Sequence, residues 1–172
     1  MQSLANALAS LNIDVLVNAG DWVWPICEIF HFIGMALLVG TVGVLDARIL
    51  GFGRGIPVAS LERLVPLGIA GFVMNAVTGF VFVAGNPVGG PIVYLDNLAF
   101  QIKMILILIA GINLIAWYIT GIAASANETP PDGDVLPKAK VIASVSLVMW
   151  LGVIVFGRLI MYNDTLLYAL GM

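Results

Sequence analysis

Glu28 and His31 stand one helical turn apart in an apolar stretch that opens at Pro25. His31 is the only histidine of the 172-residue chain and Cys27 the only cysteine. A metal centre built from several histidines of one chain is therefore excluded, as are an intrachain disulfide and any Cys-rich zinc or iron–sulfur pattern. Three chemistries remain for His31. It can be a hydrogen-bonded core residue held by Glu28, a proton-relay group, or an axial ligand to heme through its neutral imidazole. A fourth comes from Cys27, His31 and Met35, which follow i, i+4, i+8 spacing on one helix face. Soft sulfur with imidazole suits Cu(I).

Other apolar stretches carry Asn75, Gln101, Lys103, Asn113 and Arg158. A charged side chain at the centre of a membrane helix costs about 2.5–3.5 kcal/mol on insertion scales, so each such residue needs a partner or a wet neighbour. Lys103 and Arg158 are cations, and with only Glu28 as a nearby acid they leave positive charge for an anionic guest. Heme propionates would supply it. The bland alternative is that both side chains snorkel to the interface, which their length allows. Asn113 reads as a packing hydrogen bond.

The elements that must position these residues follow from composition. Hydrophobic residues make up 61% of the chain and charged residues 10%, against roughly 45–50% and 25% in soluble proteins. A soluble globule of this length cannot hide so much apolar surface. Cytosolic enzymes, disordered chains and nucleic-acid binders are excluded, the last also because no basic stretch is dense enough to neutralise a phosphate backbone. Four apolar runs reach the ~20 residues that a helix needs to cross a bilayer. They cover about 25–45, 65–85, 98–123 and 141–162. Isolated strands could not satisfy their backbone groups in lipid. Residues 1–21 carry Leu4, Leu8, Leu11, Val15 and Leu16 at helical spacing and read as an amphipathic surface helix. The expected fold is an all-α, single-domain, antiparallel four-helix transmembrane bundle.

Orientation comes from the basic residues. The first connector holds Arg48, Arg54 and Arg63 and the third Lys138 and Lys140, while 86–97 has no Lys or Arg. The positive-inside rule then puts connectors one and three in the cytoplasm and both termini on the periplasmic side of a bacterial inner membrane. With that topology drawn, His31 lies roughly 9 Å, Lys103 roughly 8 Å and Arg158 roughly 6 Å below the outer ends of their spans. Three separate crossings deliver their costliest residues to one layer. Gly34, one turn below His31, bares the backbone and would let a flat ring lie there. Gly68, Gly71, Asn75, Thr78 and Gly79 form a small-residue stripe on the second span. It reads either as a close helix seam with Asn75 bonded across it or as a slot beside a cofactor. Asp46 and Arg48, at the other end of the first span, read as a capping and interface pair, with a proton exit as the sharper alternative.

The arrangement Glu28-x-x-His31-x-x-Gly34, then Gly40, Asp46-x-Arg48 and Gly51, a Gly-rich second span, and Phe100-Gln-Ile-Lys103 resembles a family of small uncharacterised bacterial membrane proteins. More distantly it is similar to the CopD and HemJ-type membrane proteins. The resemblance runs over roughly residues 22–120 and implies a heme- or copper-associated membrane role.

The resulting expectation is a heme b-binding membrane protein acting in electron transfer or a membrane redox reaction. His31 would ligate the iron and Glu28 would orient it. Lys103 would be a second ligand or a propionate partner, and Arg158 would hold a propionate. Gly34 and Asn75 would line the slot. A quinol or a periplasmic carrier would be the redox partner, and close helix seams favour a homo-oligomer. The competing readings are a Cu(I)-handling transporter or channel using Cys27, His31 and Met35, and a structural membrane subunit whose polar cluster is internal glue.

Overall fold

A computed structural model describes residues 1–171. Ten α-helices follow in chain order: α1 Gln2–Ala9, α2 Ile13–Asn18, α3 Val23–Leu50, α4 Val58–Glu62, α5 Val65–Ala84, α6 Ile92–Leu95, α7 Leu98–Ile119, α8 Ile122–Asn127, α9 Pro137–Leu159 and α10 Asn163–Ala169. No strand occurs among the described residues. Helices α3, α5, α7 and α9 carry the four apolar runs and are long and apolar enough to cross a membrane. Their apolar windows are sparsely covered by protein, with only 11% of the window in α7 buried. In water this would be an exposed apolar surface far beyond what a soluble protein tolerates. In a bilayer it is the lipid contact. The architecture is that of a multi-pass membrane protein.

Several boundaries differ from the sequence expectation: α3 runs on to Leu50, past the expected 45, and three other differences have a local reason. The third apolar run stops at Ile119 rather than 123, because Gly121 takes a left-handed φ of 73° and the chain restarts as the separate α8. The N-terminal segment is two short helices, not one, because Asn12 adopts φ 53° and ψ 34° between them. Asparagine is among the few residues that enter this region readily. The fourth run begins at Pro137, at a first-turn position where a missing N–H costs nothing.

Contacts between the long helices gather in two places. At one end, Leu45 and Ile49 of α3, Val65 of α5, Trp117 of α7 and Ala139 and Ala143 of α9 share a buried apolar cluster. This is the best-packed part of the molecule, and Arg48 and Asp46 lie buried beside it. At the other end, the start of α7 is tied to the end of α9. The Asn97 amide donates to the Ile160 carbonyl, 2.9 Å away, while the Leu98 N–H donates to Asn163 Oδ1, 3.0 Å away. Asn97 Oδ1 also accepts from the Phe100 N–H and so caps α7. We call these the arginine end and the histidine end.

Candidate functional site: a histidine and a lysine at one end of the bundle

Helix α3 supplies His31 and α5 fixes it. His31 Nδ1 lies 2.8 Å from Thr78 Oγ1. The Thr78 hydroxyl donates to the Met74 carbonyl at 2.8 Å, with the Asn75 carbonyl at 3.3 Å. A hydroxyl has one proton, and here it is spent on the helix backbone. Thr78 Oγ1 then accepts from the imidazole, which assigns a proton to Nδ1 and, in the neutral ring, leaves a lone pair on Nε2. Phe82 packs on the ring at 5.3 Å between centroids. Gly79 leaves the opposite wall bare: a Cβ there would come within 3.8 Å of His31 Cε1. His31 is half-buried.

The orienting partner of His31 is Thr78, not Glu28 as the sequence led us to expect. Glu28 is exposed, and its Oε1 accepts from Trp24 Nε1 at 3.0 Å. The i, i+4 spacing of Trp24 and Glu28 puts these two side chains together on one face, whereas the histidine turns toward the α5 seam. Trp24 also packs on Phe82, 5.0 Å between centroids. Tyr94 of α6 stands nearby. Burial first, and then the charge of Glu28, push its phenol above the ordinary value.

The notch at Gly34 is filled. A Cβ on Gly71 would come 2.6 Å from the Gly34 carbonyl oxygen and 2.9 Å from Leu38 N, and one on Gly34 would meet Gly71 O at 2.8 Å. Helices α3 and α5 thus touch backbone to backbone at this level, and no ring can lie between them. The small-residue stripe of α5 is a packing seam here, which corrects the expected slot. Asn75 sits at the same seam, its Nδ2 within 3.2 Å of the Gly34 Cβ position. Its Oδ1 is buried and finds no hydrogen-bond partner.

Lys103 and Arg158 part company. Lys103 on α7 is half-buried and runs along Gly157 of α9, with Nζ 3.5 Å from the Cβ position of that glycine. It takes part in no ion pair among the described residues. Arg158 is exposed, and its guanidinium lies over the Tyr162 ring at 5.5 Å. This is the snorkelling geometry of a cation at a membrane boundary. Arg158 is thus engaged with Tyr162, and the expected three-member cluster of His31, Lys103 and Arg158 is not formed.

Elsewhere the polar residues serve the scaffold. Asn113 donates to the Ile142 carbonyl at 3.1 Å and Gln101 to the Leu95 carbonyl at 2.8 Å. Asp46 and Arg48 are 5% and 2% exposed, and no ion pair joins them. Two residues apart on a helix, they point to different neighbours. Arg48 Nε donates to the Ile56 carbonyl at 2.6 Å and holds the first connector. Cys27 and Met35 are half-buried on either side of His31 along α3. No group of three or more His, Cys, Asp or Glu gathers among the described residues.

Sequence reasoning missed Thr78 as the histidine's partner and missed Asn97 and Asn163 altogether. Thr78 was visible in the α5 stripe, but nothing in the spacing said which span it faced. Chemically, the histidine end offers an imidazole held by Thr78 and, on α7, an ammonium in no ion pair among the described residues. Such a pair can bind a metal at Nε2 and an acidic group at Nζ, or accept a proton at Nε2. The chain matches no protein-family model, no curated protein and no solved structure.

Proposed function

We propose that the chain is a heme b-binding protein of the bacterial inner membrane, acting in electron transfer or a membrane redox reaction. The observation that supports it most is the His31–Thr78 hydrogen bond, which leaves Nε2 of a neutral imidazole free, and Lys103, in no ion pair among the described residues, adds a positive charge on α7. Metal-bound histidines characteristically donate their other N–H to a fixed acceptor, which sets ring orientation and tautomer. Thr78 stands in that position. Lys103 is placed to meet an acidic substituent such as a propionate.

The closed Gly34 seam limits where a ring can sit. The α3–α5 interface has no space for it, so a ring would have to meet His31 on the side away from α5. One histidine per chain then favours a shared site. In a homo-oligomer two His31 side chains can serve one iron, and the second protomer covers what the first leaves exposed to lipid. The iron of a bound heme supplies one-electron transfer. The chain's own part is to hold the Nδ1 proton on Thr78, to keep water from the imidazole with Phe82 and Trp24, and to place one positive charge at Lys103.

In this reading the bundle is antiparallel and α1–α2 lie on the membrane surface. The histidine end and both termini face the periplasm. All Lys and Arg except Lys103 and Arg158 belong to the arginine end or its connectors, which supports a cytoplasmic placement of that end. A quinol or a periplasmic carrier would reach the site from the opposite face.

The test is an absorption spectrum with metal analysis on protein purified from membranes. The expected result is a Soret band and iron, both lost in His31→Ala and retained in Arg158→Ala. Colourless protein that binds Cu(I) and loses it in Cys27→Ala would replace heme with copper. Colourless, metal-free protein whose melting temperature falls in Thr78→Val would make the cluster internal glue.

A further inference from the structure

A second site lies at the histidine end, apart from His31. The N-terminal helices α1 and α2 and the connector after α5 enclose a cup of about 250 Å³. Asn12, Asp14, Asn18 and Asn86 supply its polar wall, and Ala84, the last residue of α5, lies at its base. Asp14 is half-buried and takes part in no ion pair among the described residues.

The wall has its donors and acceptors unevenly engaged. Asn86 is committed: its Nδ2 donates to the Gly90 carbonyl at 3.3 Å and its Oδ1 accepts from the Val88 N–H at 3.0 Å. It shapes the cup. Asn12 spends its Nδ2 on the Ser10 carbonyl at 3.3 Å, which leaves its Oδ1 to accept. With the carboxylate of Asp14 and the amide oxygen of Asn18, the free functions are mostly acceptors, and one of them is charged.

The surroundings carry the same sign. The segments that line the cup, residues 9–18 and 84–91, contain Asp14 and no Lys or Arg. An anion would meet a carboxylate with no cation to offset it. A primary ammonium has three N–H donors and a positive charge, and it matches this acceptor set. Position narrows the source. Ala84 ends a helix of membrane-spanning length, so the base of the cup lies at the boundary where headgroups sit. Leu11, Val15 and Leu16 on the adjoining helices are 55%, 64% and 61% exposed and offer apolar surface beside it.

We propose that this cup binds a primary ammonium, carried by the headgroup of an aminophospholipid. Asp14 takes the charge, and the Asn12 and Asn18 amide oxygens accept the remaining N–H groups. Such a lipid would tie α1 and α2 to the end of α5 and set the depth of the histidine end in the membrane.

Native mass spectrometry of the full-length purified chain tests it, with phosphatidylethanolamine and phosphatidylglycerol offered in equal amounts. The expected result is at least tenfold preferential retention of phosphatidylethanolamine, lost in Asp14→Asn and kept in Asp21→Asn. Asp14→Asn is isosteric and removes no ion pair, so loss of retention in folded protein reports the site. Soluble phosphoethanolamine provides the second arm. If it raises the melting temperature of the wild type but not of Asp14→Asn, and neither lipid is preferred, the ammonium chemistry stands and its source is soluble. Equal retention of the two lipids with no response to phosphoethanolamine overturns the proposal. Undiminished phosphatidylethanolamine retention in Asp14→Asn overturns it too.

Discussion

His31 and Thr78, 47 residues apart in the chain, are joined by a 2.8 Å hydrogen bond between Nδ1 and Oγ1. The bond crosses the α3–α5 seam and fixes which imidazole nitrogen is free. That contact holds the orientation of the imidazole for any metal or proton role at the histidine end.

Replacing Thr78 by Val therefore separates orientation from ligation. In a heme protein the variant keeps a Soret band and binds heme about 10- to 100-fold more weakly, the usual effect of losing a ligand's orienting partner. Heme titration of the apoprotein measures this. Unchanged affinity would mean that Thr78 has no part in holding the ligand.

Gly71→Ala adds a methyl group where the Gly34 carbonyl oxygen lies 2.6 Å from the Cβ position. Because the obstruction is backbone, the helices must separate. The expected cost is about 1–3 kcal/mol, as for overpacking elsewhere, seen as a lower melting temperature in detergent. Gly43→Ala is the control, since nothing lies within 4 Å of its Cβ position, and it should change stability by less than about 0.5 kcal/mol.

Asn97→Ala removes both a helix cap and the clamp on Ile160. Loss of a cap alone costs about 1 kcal/mol. Asn163→Ala opens the same junction from the other side. The double variant should lose less than the sum of the single losses, because both residues close one joint. Strict additivity in chemical or thermal unfolding would show the two bonds to be independent.

The connector before α9 should respond to acid. Lys140 donates to Asp134 at 2.9 Å and, with the added charge of Arg54, holds the Asp134 carboxyl below its ordinary 3.8. A depressed folded value means that the contribution is present above that ordinary value and is lost as pH falls below it. Hydrogen exchange over residues 130–140 should therefore be flat from neutral pH down to the ordinary carboxylate range. Below it, protection should drop, by an amount that shrinks in high salt because the pair is exposed.

Much of the scaffold was legible in the chain. The four long helices follow from uninterrupted apolar runs, and a backbone in lipid has little choice but to bond to itself. Asn113 was rightly read as a packing donor, because an amide inside a span must find a carbonyl. The choice of partner was another matter. Glu28 looked like the mate of His31 by spacing, yet it went to Trp24 on the same face. Gly34 looked like a vacancy, and Gly71 filled it. Arg158 looked like the third member of a cluster, and its long stem carried it outward to Tyr162.

Residue type and period determine which segments leave water and which side chains are costly there, because both follow from the solvent and the local geometry of one helix. The mate each costly side chain takes is decided by how the helices rotate and how closely they approach, quantities set by the sum of all interhelical contacts. That is why one stretch of chain announces a membrane helix, while only the assembled bundle puts a threonine against His31 and leaves Lys103 without a carboxylate.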